Sequence, residues 1–470
     1  MGYEGGMARL FTEDEVRELI AEAVAPLLER IAELEAEVAR LKKNSGNSSK
    51  PPSSDIVKPT KTKTPKKGRG KRRQGGQPGH AKQERTAFAP DEIDQIVEYE
   101  LADEDAAGLR PLDDWRILQQ VELVERPLIV TEHRARRYLD PRTGKIHTAP
   151  LAREVVKAGL IGPRLSAAAA FQKAACHMSY TTIQNFWQQL AGLNVSRGQW
   201  RKVVGKISAA IERPYEELCD ALPAEDVLGI DESGHKDCGK RHWTWCFRAR
   251  RFTAFRIDPS RGSEVLRQML GETFGGVIGC DYFSAYRKYM VDADAIVQFC
   301  MAHLIREVRF LAEHSNKSLS RWGEKLLDWL RQLFQTLHRA DELSQRTFEH
   351  RIEAARSGFL KQVRRPPPEA EGRTLAKRFR GRKADSYFTF LTRPGVEPTN
   401  NLTEQAIRFI VIDRRITQGT RGESGMRWCE RAWTVVATCA QQGRRVFDFF
   451  LEALQAHLSG HPSPSLLAKA

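Results

Sequence analysis

DVLGID, residues 226–231, is a short apolar run that ends in an acid. Val227, Leu228 and Ile230 suit a strand covered on both faces, and Asp231 then falls where a side chain can lean over the sheet's rim. Downstream, HWTWCFRARR and RFTAFRID alternate like paired strands, and GSEVLRQMLG has helical spacing. GGVIGCD is a second buried strand, SAYRKYM a helix and AIVQFC a third strand, after which HLIREVRFLAEH opens a long helical region. Strands followed by helices, with a sheet of mixed direction, describe an α/β core.

Asp281 ends VIGCD as Asp231 ends LGID. A carboxylate at the end of an apolar strand is costly unless a cation or hydrogen bonds compensate. A third acid stands in PTNNLTEQAIR, residues 398–408. Asn400 and Asn401 suit an N-cap, and Glu404 at the third helical position fits a capping arrangement. At 100° per residue, however, Leu402, Ala406, Phe409 and Ile410 share one face, and Glu404 lies nearly opposite, turned from the core. Three converging carboxylates would suit Mg²⁺ or Mn²⁺. Two such ions can activate an attacking oxygen and stabilise the leaving oxygen of a phosphodiester.

At 470 residues the chain is long enough for two or more domains, and 41% apolar residues with nine Trp can build cores. The formal charge of +15 is concentrated: residues 42–73 hold twelve Lys/Arg against the single acid Asp55. Such a tract suits a polyanion, nucleic acid first, with a solubilising tail as the alternative. No apolar run approaches the ~18 residues of a membrane span, no signal pattern opens the chain, and the eight Cys are scattered. The expected compartment is reducing and cytoplasmic, with no membrane partner.

Residues 1–43 open with Thr12 and Glu15 in capping-box spacing. Ile20, Val24, Leu27, Ile31, Leu34, Val38 and Leu41 then make a heptad seam, whose continuous part is expected to start at Pro26. Self-association, or packing on the body of the protein, would cover it. Residues 44–85 form a Ser/Pro/Gly/Lys linker expected to order only on a partner. Residues 86–155 read as a small mixed module, with VELVERPLIVTEHRARRYL strand-like up to a turn at DPRTGK. Residues 156–215 are helical, with starts at Ser166 and Thr181 and a cap at Ser196. This pattern fits a helix-turn-helix whose second helix carries Arg197, Gln199, Arg201 and Lys202. Residues 220–315 hold the first part of the core. A helical insertion over 316–395, broken by Pro366–Pro368, precedes final core helices at 396–442 and a C-terminal helix and tail at 443–470.

In order along the chain, NSSKPPSSD, GGQPGH, LGIDESG, GCDYFSAY, FCMAHLIRE and PTNNLTEQAIR resemble a DDE transposase of the bacterial insertion-sequence-sixty-six type. The resemblance implies a ribonuclease-H-like catalytic core with a helical insertion, and Asp231, Asp281 and Glu404 as a catalytic triad holding two Mg²⁺ or Mn²⁺ ions. It implies hydrolysis at the element's ends and attack of a 3′-hydroxyl on target DNA, within a homo-oligomeric synapse, dimer or larger, with accessory proteins left open. DNA contacts are expected at Lys66, Lys67, Arg69, Lys71, Arg72, Arg73 and His80, at the four residues of the second helix, and at Arg408, Arg414, Arg415 and Arg421. Arg408 could alternatively pair with Glu404. His303 resembles a family-typical position that could orient a carboxylate or a phosphate; a structural hydrogen bond is the alternative.

Two departures stand out. Residues 81–150 lack the paired Cys motifs usual in that family, so zinc is not expected there. Gln405 replaces the Arg that more often follows the Glu. His235, Cys238, His242 and Cys246 have metal-like spacing, but a strand ladder is expected to separate His242 from Cys246. A non-catalytic DNA-binding descendant and a nuclease without joining activity remain as rival readings.

Overall fold

The computed structural model describes residues 12–42, 87–106, 110, 116–125 and 127–467. Lys66, Lys67, Arg69, Lys71, Arg72, Arg73 and His80 lie outside these residues, as does the expected linker. The chain divides into two compact units, residues 60–134 and the remainder.

The remainder begins with helix α1 (Glu13–Lys42), which opens in the expected capping box. The Glu15 N–H donates to Thr12 Oγ1 at 3.3 Å and the Thr12 N–H to Glu15 Oε2 at 2.9 Å. The helix does not restart at Pro26 but runs through it. A proline inside a helix loses one backbone bond and crowds the preceding turn, and the helix formers on both sides carry the helix across. Ile20, Leu27, Ile31 and Leu34 are exposed along it.

In the 60–134 unit the described residues form only a 3₁₀ turn (Pro90–Glu92) and the short helix α2 (Asp103–Ala106). The strand expected from residue 121 onward is not formed until β1 (Arg137–Leu139), which lies outside that unit and pairs with β2 (Ile146–Thr148) around Asp140. Val121, Leu123, Ile129 and Val130 are exposed. Alternation makes a strand only where a neighbour supplies the ladder.

Five helices follow: α3 (Arg153–Ala158), α4 (Pro163–Ala174), α5 (Tyr180–Ala191), α6 (Arg197–Ala210) and α7 (Glu212–Ala221). Helix α4 starts three residues before Ser166, because Pro163 fits the first turn where no N–H is needed. Ser179 caps α5 and Ser196 caps α6, each accepting a backbone N–H from three residues on.

The central sheet contains β3 (Val227–Asp237), β4 (Lys240–Arg248), β5 (Thr253–Asp258), β6 (Val277–Cys280) and β7 (Ile296–Phe299), in the order β5-β4-β3-β6-β7. β3 is antiparallel to β4, which is antiparallel to β5, whereas β3, β6 and β7 run parallel. β3 outlasts DVLGID because its second half continues as a hairpin with β4. The hairpin turns at Cys238 and Gly239, both at positive φ as a tight two-residue turn requires. Helix α8 (Ser263–Leu270) leads from β5 to β6, and α9 (Ser284–Asp292) connects the parallel strands β6 and β7.

After β7 come α10 (Met301–Ala312), then the helices α11 (Lys317–His338), α12 (Gln345–Val363) and α13 (Ala370–Lys377), with the three prolines between the last two. The chain returns through α14 (Asn401–Thr417), α15 (Glu423–Gln442) and α16 (Val446–Ser459). One buried cluster joins Ala170 and Ile207 of α4 and α6, Trp245 and Phe247 of the sheet, Leu326 and Phe359 of α11 and α12, and Phe450 and Leu454 of α16. The buried core is therefore continuous from α4 to α16. No helix among the described residues is long and apolar enough to cross a membrane.

Both margins of the sheet are covered by side chains. Along β5 the N–H groups of Thr253, Phe255 and Ile257 donate to Thr438, Thr434 and Glu430 of α15 at 3.2, 3.0 and 2.7 Å. Two residues along a strand advance about 6.6 Å and four along a helix about 6 Å, so the two rows stay in step. At the other margin, Thr389 donates to the Val297 carbonyl at 2.7 Å and the Phe390 N–H to the Gln298 side chain at 2.9 Å. Thr434→Val keeps the volume but leaves the Phe255 N–H without its acceptor. It should cost about 1–3 kcal/mol in urea melts, and an unchanged midpoint would mean that α15 does not satisfy that strand.

Candidate active site

The register of the parallel strands sets the site. Gly229 pairs with Gly279, and Gly279 with Gln298. Two residues further along each chain, Asp231, Asp281 and Cys300 therefore fall on one level at the C-terminal rim, where parallel sheets leave a crevice. The Cys300 N–H still donates to the Cys280 carbonyl at 2.7 Å, which keeps that level tied together.

Two helix starts meet the same rim. Cys300 is the N-cap of α10, and Asn400 is the N-cap of α14. Asn400 forms no side-chain cap; its amide donates instead to the Ile230 carbonyl at 2.8 Å, while its backbone N–H meets Cys300 Sγ at 3.2 Å. The Met301 N–H donates to the Pro398 carbonyl at 2.9 Å. The approach of α14 to β3 needs Gly229: a Cβ there would lie 2.2 Å from Thr403 Oγ1.

This contact corrects the helical-wheel expectation. The buried face of α14 is Thr403, Ile407, Ile410 and Asp413, while Leu402 is 51% exposed. Glu404 flanks that face rather than opposing it. Its side chain makes no cap, and Oε1 is buried without a hydrogen bond. It faces Arg306 Nη2 at 3.5 Å and His303 Nδ1 at 3.7 Å, rather than Arg408, which is exposed. Burial and the Arg306 charge push His303 down to about 4, so its imidazole is neutral at pH 7.

Asp231 and Asp281 make the opposite case. Burial pushes the Asp231 carboxyl well above the usual range, and the charges of Glu232, Asp281 and Glu404 push it further. Asp281 is pushed up to about 6, by burial and then by Glu232, although the Phe283 N–H and Arg261 pull it back. The nearby cation is already engaged: Arg261 binds Glu232 at 2.7 Å, wedged between Phe283 at 3.9 Å and Trp243 at 4.5 Å, and Tyr286 donates to the same carboxylate. Sequence patterns do not single out Arg261, Tyr286 or Arg306 for the site. Glu232, as the second acid of LGIDES, is the one further residue with a local signal.

The three acids do not form one tight set. Among the described residues, the only group of three or more His, Cys, Asp or Glu donors within 4.8 Å of one another is Cys300, His303 and Glu404. Glu404 faces Arg306 and His303 instead. The His235 set does not converge either: His235 and His242 pair directly across the ladder, but Cys246 lies opposite Asp231.

Of the expected DNA contacts, Arg197, Arg201, Lys202, Arg408, Arg415 and Arg421 are exposed and Gln199 is half-buried. Arg414 is half-buried and donates to Ser233 Oγ at 3.0 Å, so it is engaged on β3.

No curated protein matches the chain. A family of unknown function (DUF6444) matches residues 7–86. The Transposase IS66 family matches residues 158–428, a stretch that carries the rim acids and the helix pinned against them, and the chain belongs to that family.

Proposed function

We propose that the protein cleaves the ends of a mobile element and joins them to target DNA, using Asp231, Asp281 and Glu404 on a ribonuclease-H-like core to hold two divalent ions, Mg²⁺ or Mn²⁺. The observation that supports this reading is the pair of raised carboxyls at one level of the rim, beside a helix start that carries a third acid. These residues fit dications: Asp231 and Asp281 form no ion pair among the described residues, and Glu404 Oε1 lacks a hydrogen bond. When bound, such ions activate the attacking oxygen and neutralise charge on the phosphodiester.

The remaining work falls to the chain itself. Asn400 and Gly229 hold the start of α14 against β3, which fixes the backbone of Glu404. Glu232 keeps Arg261 from quenching the acids. The α10 and α14 N-termini and Arg306 favour a phosphate near the rim. Arg197, Gln199, Arg201 and Lys202, with the basic tract, serve end binding, while Arg408 and Arg415 on α14 and Arg421 just after it serve DNA phosphates. Helix α1 serves self-association into a dimer or larger synapse. The domain plan follows: helical segment, basic linker, small module, DNA-binding helices and a core split by its insertion, acting in the bacterial cytoplasm.

The deciding experiment supplies pre-cut ends and a supercoiled target, with and without Mg²⁺. Joined product should form only with the metal. Cutting without joining would leave a nuclease.

A further inference from the structure

We propose that Cys300, His303 and Glu404 form a second metal site, selective for a soft divalent ion such as Zn²⁺, and that filling it holds Glu404 away from Asp231 and Asp281. The three donor atoms lie within 4.8 Å of one another. Zn²⁺ bound at ordinary lengths spaces its ligands by roughly 3.3–3.8 Å, so a shift of about 1 Å closes the set. His303 Nδ1 and Glu404 Oε1 are both buried without a hydrogen bond, 3.7 Å apart. Cys300 is fixed by its place at the head of α10 and by the Asn400 N–H on its sulfur.

The donor chemistry chooses the ion. One thiolate, one imidazole and one carboxylate suit Zn²⁺, whereas Mg²⁺ takes oxygen ligands. Three protein ligands leave a fourth position for water. Arg306, 3.5 Å from Glu404 Oε1, opposes a cation there. The thiolate charge offsets it, because Cys300 releases its proton on binding. Metal binding stands on these contacts alone; the inhibitory consequence rests on the reading of Glu404 as a ligand of the catalytic ions.

Full-length protein titrated with Co²⁺ tests the site, since a thiolate ligand gives a charge-transfer band. The band should be present in the wild type and in Asp231→Asn, absent in Cys300→Ser, and shifted to more than about tenfold higher Co²⁺ in His303→Gln. No band overturns the site. So does a band that survives both substitutions, because exposed Cys176 or Cys238 would then be the ligand. The second arm measures Mg²⁺-dependent cleavage with added Zn²⁺, relative to each protein's own zinc-free rate. Wild type should be inhibited and Cys300→Ser much less so. Zn²⁺ binding that leaves cleavage untouched overturns the inhibitory role. If the protein never cleaves, the Co²⁺ titration still decides whether the site exists.

Discussion

Asp281→Asn should abolish Mg²⁺-dependent cleavage and yet make the metal-free protein more stable at neutral pH. Losing one ligand of a metal pair removes several kcal/mol of transition-state stabilisation, about a thousandfold or more in rate. Asp231→Ala and Glu404→Ala should do the same, with binding of element ends largely intact. Normal joining by any of them would remove that residue from the triad.

The stability half follows from the raised carboxyl of Asp281, which moves from 3.8 to about 6. A group whose pKa is higher folded than unfolded contributes stability that is fully present below the unfolded value and lost as pH rises through the folded one. Here the loss runs from about pH 4 to pH 6 and amounts to about 3 kcal/mol for a shift of this size. Asparagine cannot ionise, so the variant escapes it. In EDTA, the melting temperature of Asp281→Asn should exceed that of wild type at pH 7.5, with the gap narrowing at pH 5. Excess Mg²⁺ should narrow it at pH 7.5 as well. A gap that does not depend on pH would show that Asp281 is not held in a charge-averse position.

Gly229→Ala should disable the protein from a position that carries no chemistry. The new methyl would sit 2.2 Å from Thr403 Oγ1 and 3.0 Å from Asn400 Oδ1. Thr403 is 2% exposed and has nowhere to swing. The start of α14 must lift instead. Overpacking of this kind costs about 1–3 kcal/mol, but a displacement of about 1 Å at the backbone of Glu404 costs on the order of a hundredfold in rate. Thr403→Ala removes the clashing hydroxyl, so the double variant should recover much of both losses. A double-mutant cycle on melting temperature and on cleavage measures that coupling. Wild-type behaviour of Gly229→Ala would mean that α14 is not seated on β3 by this approach.

That same contact marks the limit of what the sequence makes readable. The strand-end acids are legible because an apolar run ending in a carboxylate is locally unusual, and the sheet strands are legible because each has a neighbour that turns alternation into a ladder. Residues 121–134 alternate as well, but the described ones among them form no strand. The covered side of α14 differs from the expected one because hydrophobicity points to Leu402, whereas the true seam is a threonine lying against a glycine. Apolar periodicity cannot register such a contact. Arg261 and Arg306 are invisible for a related reason: their partners, Glu232 and Glu404, are distant in the chain and meet them only after folding.

The Thr–Thr–Glu row of α15 and the turns around Phe390 have a further effect. Because the molecule occupies its own lateral backbone positions, no second copy can extend the sheet by adding a strand. Any assembly of copies would therefore run through side chains, and the exposed Leu and Ile stripe of α1 is available for that.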